Sequence, residues 1–504
     1  MESHVIDDAH RGISPGAPPK PCTLVIFGAS GDLTHRELIP ALYELERQAL
    51  LPESFSVIGF AWSEWSDETF QDKMREATKQ QCAFDEDSWK TFAKRLRYVQ
   101  GEFDAAADAD YADLKKRLEE IQASDDLPDN VMFHLATPPK FFTTIVQRLS
   151  AAGLANSENG WRRLVIEKPF GEDEGTARQL NEEIREVFEE EQIYRIDHFL
   201  GKETVQNMLV FRFANPSFEP IWNRNYIDHV QITVAEDIGI GTRAGFYEKT
   251  GVVRDMVQNH LLQLLCMTTI EPPVRFNGAS LRDATVNVLE AVQPLDPQEC
   301  VRGQYGPGTI DGERVAGYRQ EEDVASGSWT STFAAAKLTI DNWRWAGVPF
   351  YLRTGKRMTE KFTEVAIHFK PTPHLMFPVS LDQLHSNVLV FRLQPEEGII
   401  QVYAAKRPGP RLHIEPVRSS FLYASAFGVD EPPRAYAWLL LDVMNGDQTL
   451  FARVDWIYKA WSIVDPLIEH WEAEPPDDFP NYAAGTWGPK GAEKLIEPRA
   501  WLLI

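Results

Sequence analysis

Short runs of apolar residues punctuate the first part of the chain at regular intervals, each followed by a longer amphipathic stretch. The runs are Leu24-Val25-Ile26-Phe27, Val57-Ile58-Gly59-Phe60, Val131-Met132-Phe133-His134-Leu135 and Leu164-Val165-Ile166. Nearly continuous apolar strands separated by helices signal a parallel sheet covered on both faces. Helices are predicted over Tyr111 to Ile121 and Phe141 to Leu149. Residues from about 22 to about 195 therefore read as a doubly wound, Rossmann-like dinucleotide-binding domain. Beyond about residue 200 the pattern changes. Val230, Ile232 and Val234 alternate with Gln231 and Thr233, as suits a strand with one wet face. Related runs recur at Val365 to Phe369, Val388 to Phe391 and Ile399 to Tyr403, with long helices predicted at Val252 to Leu265 and Ala435 to Met444. Strands clustered without βαβ alternation suggest a larger α+β domain, 196–504, on a mainly antiparallel sheet. The stretch Gln304 to Gly308 reads as a loop. The Pro- and Gly-containing start, residues 1–21, reads as a flexible leader.

Composition narrows the function. Among 504 residues, 51 Lys and Arg face 75 Asp and Glu, a net charge of −24. That balance argues against a general nucleic-acid binder, which needs a basic face for phosphate. It leaves open anionic small ligands, which respond to local lysines and helix ends. The four cysteines, Cys22, Cys82, Cys266 and Cys300, lie too far apart for a CxxC pair and point to a reducing, cytoplasmic setting. No apolar run approaches the roughly 20 residues that cross a bilayer, so no membrane role is expected.

Candidate chemistry sits in four segments. Gly28-Ala29-Ser30-Gly31-Asp32-Leu33 runs from a strand through a tight turn into a predicted helix. Glycines there let backbone approach a pyrophosphate, and the helix start offers free N–H groups and a positive dipole end. A glycine-rich turn without a ligand has the same letters, and it is the strand before and the helix after that favour a nucleotide. At the end of the second strand, where such folds select their dinucleotide, stands Trp62. An indole stacks on adenine but cannot pair with phosphate, so this position leaves NADP or NAD open. Lys168, in Glu167-Lys168-Pro169-Phe170-Gly171, stands at the carboxyl edge of the sheet. In Arg195 to Glu203, a helix would put His198 and Lys202 on one face, suited to an anionic group. In Arg254 to Leu265, His260 falls near the apolar side of a helix. A lone histidine there is commonly a core residue; a carboxylate partner would make it a base able to work near neutral pH.

Taken together these segments resemble the glucose-6-phosphate dehydrogenase family in its bacterial form, from about Thr23 to about Trp487. The matching pieces are GASGDL with IPALYEL, then EKPFG, RIDHFLGKE, FRFANPSFEPIWNR, RDMVQNHLLQLL, DNWRWAGVPFYLRTGKRM, GDQTLFARVD and WSIVDP. The resemblance implies oxidation of glucose 6-phosphate to its lactone with hydride transfer to NADP, or NAD, as the first step of the oxidative pentose phosphate route. It implies a proton acceptor at His260 paired with Asp197, and a sugar phosphate held by His198 and Lys202 with Lys356 and Lys361. Glu236 and Asp255 match carboxylates that accept sugar hydroxyls, and Lys168 matches a lysine touching cofactor and sugar. No metal is called for, because proton removal and a nicotinamide supply the chemistry. A homodimer or homotetramer is implied as well.

Three positions depart from the family pattern. Glu37 stands for a usual lysine, a reversal that could cost about 4 kcal/mol near an anion at an effective dielectric of 20. Phe199 stands for tyrosine, a loss of about 0.5–1.5 kcal/mol if one hydrogen bond goes. Trp62 stands for the arginine that holds the 2′-phosphate of NADP. Apart from these three, Phe362 stands where forms with a second, structural dinucleotide site carry lysine, which weighs against such a site. Two other readings stay open on these departures: a catalytically weakened sugar-phosphate or nucleotide sensor, and an NAD-linked dehydrogenase of a related sugar.

Overall fold

The computed structural model describes residues 19–104, 107–377, 386–428 and 434–502. Most of the expected leader lies outside them. The described chain forms two compact units.

The first unit holds a six-stranded, all-parallel sheet of β1 (Cys22–Phe27), β2 (Phe55–Ala61), β3 (Leu96–Gln100), β4 (Val131–Leu135), β5 (Arg162–Ile166) and β6 (Ile193–Arg195). Its order, β3-β2-β1-β4-β5-β6, reverses direction between β1 and β4, and this is where doubly wound sheets bind ligands. Every residue of β1, β2 and β4 is buried, as the unbroken apolar runs demand of strands covered on both faces. The predicted helices appear as Asp108–Ser124 and Phe142–Ala151. β3 and β6 were not foreseen, because arginines interrupt their short apolar runs. Chain order and compactness part company here. Residues 434–451, including the helix Ala435–Asn445, pack with this unit, while Pro169–Leu180 packs with the other. Arg163 bonds the carbonyls of Val443 and Met444 at 2.6 and 2.7 Å, closing the C-terminal turn of that helix.

In the second unit the strands are β7 (Ile227–Ala235), β8 (Cys300–Gly303), the short β9 (Tyr305–Gly306), β10 (Gly308–Ile310) and β11 (Glu313–Val315), then β12 (Phe333–Leu338), β13 (Phe350–Gly355), β14 (Phe362–Phe369), β15 (Val388–Gln394), β16 (Gly398–Lys406), β17 (Ile414–Leu422) and β18 (Tyr482–Ala483). Eight of them form one sheet in the order β17-β16-β15-β14-β7-β13-β12-β8. Only its β7–β13 pair is parallel. The wet face expected for β7 is absent: Gln231 and Thr233 are each 2% exposed. The chain's own C-terminal stretch covers Gln231, which donates to the Ala500 carbonyl and accepts from the Leu502 N–H, and Arg353 reaches Thr233. Polar side chains tolerate such burial only when partnered. The Gln304 to Gly308 stretch is likewise not a plain loop, since β9 pairs in parallel with β18, a partner too distant in sequence for local pattern to announce.

Candidate active site

The turn after β1 is built for close approach. Gly28 has φ +88°, and a Cβ there would come within 2.3 Å of the Ala136 carbonyl oxygen on the neighbouring strand's exit. Gly31 N–H and Thr34 Oγ1 both donate to the Gly28 carbonyl, at 2.9 and 3.1 Å. Ala29 is buried, Ser30, Gly31 and Leu33 are half-buried, and Asp32 is exposed beside Arg36 at 3.6 Å. The chain then enters a helical turn, Thr34–Leu38, continued by Ile39–Arg47 with Pro40 in its first turn. This backbone cradle, too tight for any side chain at Gly28, fits a dinucleotide pyrophosphate. Trp62, 68% exposed, lines a cleft of about 670 Å³ with Gln100, Glu102, Lys116 and Arg117, and Arg117 is engaged by Asp67 at 2.6 Å. Lys168 follows β5. Its neighbour Glu167 accepts from Tyr436 at 3.1 Å and lies 3.4 Å from the buried His134.

In the second unit the structure brings Asp197 and His260 together, as the sequence could not. Asp197 Oδ1 is 2.6 Å from His260 Nδ1, and both side chains are buried. Because a carboxylate only accepts, Nδ1 carries the hydrogen and Nε2 is left as the basic nitrogen. Burial pushes the Asp197 carboxyl up, but the charge and hydrogen bond of His260, the charge of His198 and the Phe199 N–H outweigh it and bring it down to about 2. Phe199 lies flat against the His260 ring at 4.2 Å, and His198 meets it edge-on at 4.6 Å. Lys202 Nζ stands 5.6 Å from the Phe199 ring.

Residues 197–202 are a turn, not the helix on which an i, i+4 pairing of His198 with Lys202 was reasoned. Asp197 Oδ1 accepts the Phe199 N–H at 3.0 Å and its carbonyl accepts the Leu200 N–H at 3.0 Å, a side-chain competition that breaks helix before it starts. Helix begins only at Glu203. His260 itself sits in a wide-turned segment, Val253–Leu261, inserted between Ala244–Val252 and Leu262–Thr269. Such widened turns are frequent at functional sites.

A second cluster joins Glu236, Asp255 and Lys356. Lys356, 1% exposed, lies 2.6 Å from Glu236 Oε2 and 3.4 Å from Asp255 Oδ2, over the ring of Tyr247 at 5.0 Å. Burial works against the ammonium, yet the two carboxylates outweigh it and its pKa is raised. Lys361 is not drawn into this cluster; it lies exposed just before β14. Sequence reasoning missed Tyr247 and the stacking role of Phe199, which carry no motif of their own. Asp197, His198 and His260 also hold their ligand-type atoms within 4.8 Å of one another. Ligands about 2 Å from a shared ion stand roughly 3 Å or more apart, so the 2.6 Å Asp197–His260 contact is that of a shared proton.

A nucleotide cradle at a sheet's switch point, with a carboxylate-steered imidazole carried in the same chain, defines a nicotinamide-dependent dehydrogenase. Comparison with known proteins makes this particular. Residues 25–207 match the model for the glucose-6-phosphate dehydrogenase NAD binding domain, and 209–501 that for the C-terminal domain. A Mycobacterium tuberculosis protein named glucose-6-phosphate 1-dehydrogenase 2 is 46% identical over 94% of this chain and 93% of its own length. The Aggregatibacter actinomycetemcomitans glucose-6-phosphate 1-dehydrogenase is 46% identical over 95% of this chain and 97% of its own. A solved glucose-6-phosphate dehydrogenase in complex with its substrate glucose-6-phosphate superposes with a TM-score of 0.87 at 34% identity, covering 96% of this chain and 99% of that one. The chain belongs to the glucose-6-phosphate dehydrogenase family.

Proposed function

We propose that this chain oxidises glucose 6-phosphate at its anomeric carbon to 6-phosphogluconolactone, the first step of the oxidative pentose phosphate pathway. The observation that carries the reading is the 2.6 Å bond between Asp197 Oδ1 and His260 Nδ1, which leaves Nε2 as a base. His260 takes the anomeric hydroxyl proton, and Asp197 stabilises the imidazolium that forms, a device worth roughly two to four powers of ten in rate. As negative charge grows on the sugar oxygen, departure of the anomeric hydride becomes easier. A bound nicotinamide supplies the hydride acceptor. His198 and Lys202 hold the phosphate, joined by Lys356 and Lys361, while Glu236 and Asp255 accept sugar hydroxyls and Lys168 serves both ligands. Residues Gly28 to Leu33 hold the pyrophosphate. NADP is the expected cofactor with NAD also used, because Trp62 offers no charge to a 2′-phosphate.

The described residues contain no helix long and apolar enough to cross a membrane. None of Cys22, Cys82, Cys266 and Cys300 is in a disulfide, which supports a reducing, cytoplasmic setting. Strands β16 and β17 leave much of their surface exposed, which supports a homodimer, or a homotetramer, formed on that edge of the sheet.

The test is His260→Asn assayed by the absorbance of reduced nicotinamide, with glucose 6-phosphate and with free glucose, each with NADP and with NAD. Turnover is expected to vanish while sugar-phosphate binding, followed by calorimetry, persists. Wild-type activity in the variant would refute the assignment of the base.

A further inference from the structure

The reversed charge at Glu37 is not free. It lies six residues beyond Gly31, in the wide-turned helical segment Thr34–Leu38 that follows the pyrophosphate turn. An unpaired carboxylate there opposes an anion bound at the helix start. Arg434, immediately before the helix Ala435–Asn445, answers it. Its Nη1 is 3.3 Å from Glu37 Oε2 and 3.2 Å from the Arg36 carbonyl, and its Nε is 3.2 Å from Glu44 Oε1. Its backbone N–H donates to Glu44 Oε2 at 3.3 Å, and Nη2 donates to the Gln81 carbonyl. Acceptors on several sides of one guanidinium fix the group in place, as a flexible ammonium would not be fixed. Two residues further on, Tyr436 donates to Glu167, the neighbour of Lys168. The start of this one helix thus touches the segment after the pyrophosphate turn and the strand end that carries Lys168.

We propose that Arg434 is a positioning residue for nucleotide binding: it holds the Glu37 carboxylate, and the helix bearing it, away from the anion. The inference rests on reading Gly28 to Leu33 as the pyrophosphate site. It makes the Glu37 reversal half of a compensated pair, so affinity for nucleotide survives a change that alone would lower it.

The experiment measures dissociation constants for NADP and NAD, by calorimetry on the full-length protein, in wild type, Arg434→Gln, Glu37→Gln and the double variant. Arg434→Gln should weaken both nucleotides about three- to fivefold, as expected when one carboxylate is freed to face the anion through partly screening solvent. Turnover at saturating nucleotide should fall less than affinity does. In the Glu37→Gln background the same arginine change should weaken binding less than twofold, because no carboxylate is then released toward the anion, and Arg434→Lys, which keeps the charge without the fixed fork, should fall between wild type and Arg434→Gln. Weakening of equal size in both backgrounds would show a merely structural role and overturn the proposal, as would unchanged binding in Arg434→Gln. Should Arg434→Gln fail to fold, Glu37→Gln alone decides: binding as tight or tighter supports the proposal, and weaker binding overturns it. Wild type that binds neither nucleotide would instead refute the pyrophosphate site.

Discussion

Replacing Asp197 by Asn isolates what the carboxylate does for His260. The amide is nearly isosteric, and its carbonyl can still accept the Nδ1 hydrogen, so ring and tautomer are kept. What is lost is the negative charge facing an imidazolium as the proton arrives. Opposite unit charges about 4 Å apart attract by about 4 kcal/mol at an effective dielectric of 20. The pair is buried, so bulk water does little to screen it, although the retained hydrogen bond recovers part of the loss. A barrier increase of about 2–4 kcal/mol follows, a fall in kcat of roughly thirtyfold to a thousandfold. The Michaelis constant for sugar phosphate should change much less, because His198 and Lys202 are untouched. The acid limb of kcat/KM should also move to lower pH, since the imidazole sheds its proton more readily without a carboxylate beside it. Initial rates across pH, read by absorbance of the reduced nicotinamide, give both quantities. A kcat within about threefold of wild type, less than 1 kcal/mol, would refute the argument that the charge works at the transition state.

Other expected outcomes bear on different links of the chain. Trp62→Arg should tighten NADP roughly tenfold or more, the worth of a charge-assisted hydrogen bond, with NAD little changed. A wild type that already prefers NADP by about a hundredfold, near 2.7 kcal/mol, would disprove the role given to the tryptophan. Gly28→Ala forces a side chain into a left-handed backbone at φ +88° and against the Ala136 carbonyl. Nucleotide binding should be lost and the melting temperature lowered by several degrees, at a cost of about 1–2 kcal/mol or more; calorimetry that finds normal affinity would count against the cradle. Burial, reinforced by Asp447, raises Asp442 from 3.8 to about 7. The folded chain then keeps a proton that the unfolded chain releases, so this contribution to stability is full below pH 4 and is lost as pH rises through 7. Asp442→Asn should be more stable than wild type by about 1–3 kcal/mol above pH 7 and should gain little at pH 4. Melting curves showing the same difference at both pH values would contradict this.

Much of the first unit was legible because its information is local. Unbroken apolar runs named β1, β2, β4 and β5, and the letters between Gly28 and Leu33 named the turn. β3 and β6 escaped because three to five residues with arginine among them carry too little periodicity. In the second unit the centre of the sheet misled. Gln231 and Thr233 look like a wet face until the C-terminal stretch is laid over the strand and supplies Gln231 with partners. His198 and Lys202 looked helical because residue spacing cannot show that Asp197 spends its own carboxylate on a backbone N–H.

By itself the sequence determined the class of fold, the glycine turn after the first strand and the residue types on hand, since each depends on neighbours within a few positions. Only the tertiary structure decided which groups meet. Asp197 and His260 are 63 residues apart, Glu236 and Lys356 are 120, and Glu37 and Arg434 are 397. Local preference sets where strands and helices begin. The register of the sheets and the packing of helices upon them determine which distant charge lies across from which, and in a buried, weakly screened interior that choice sets the chemistry.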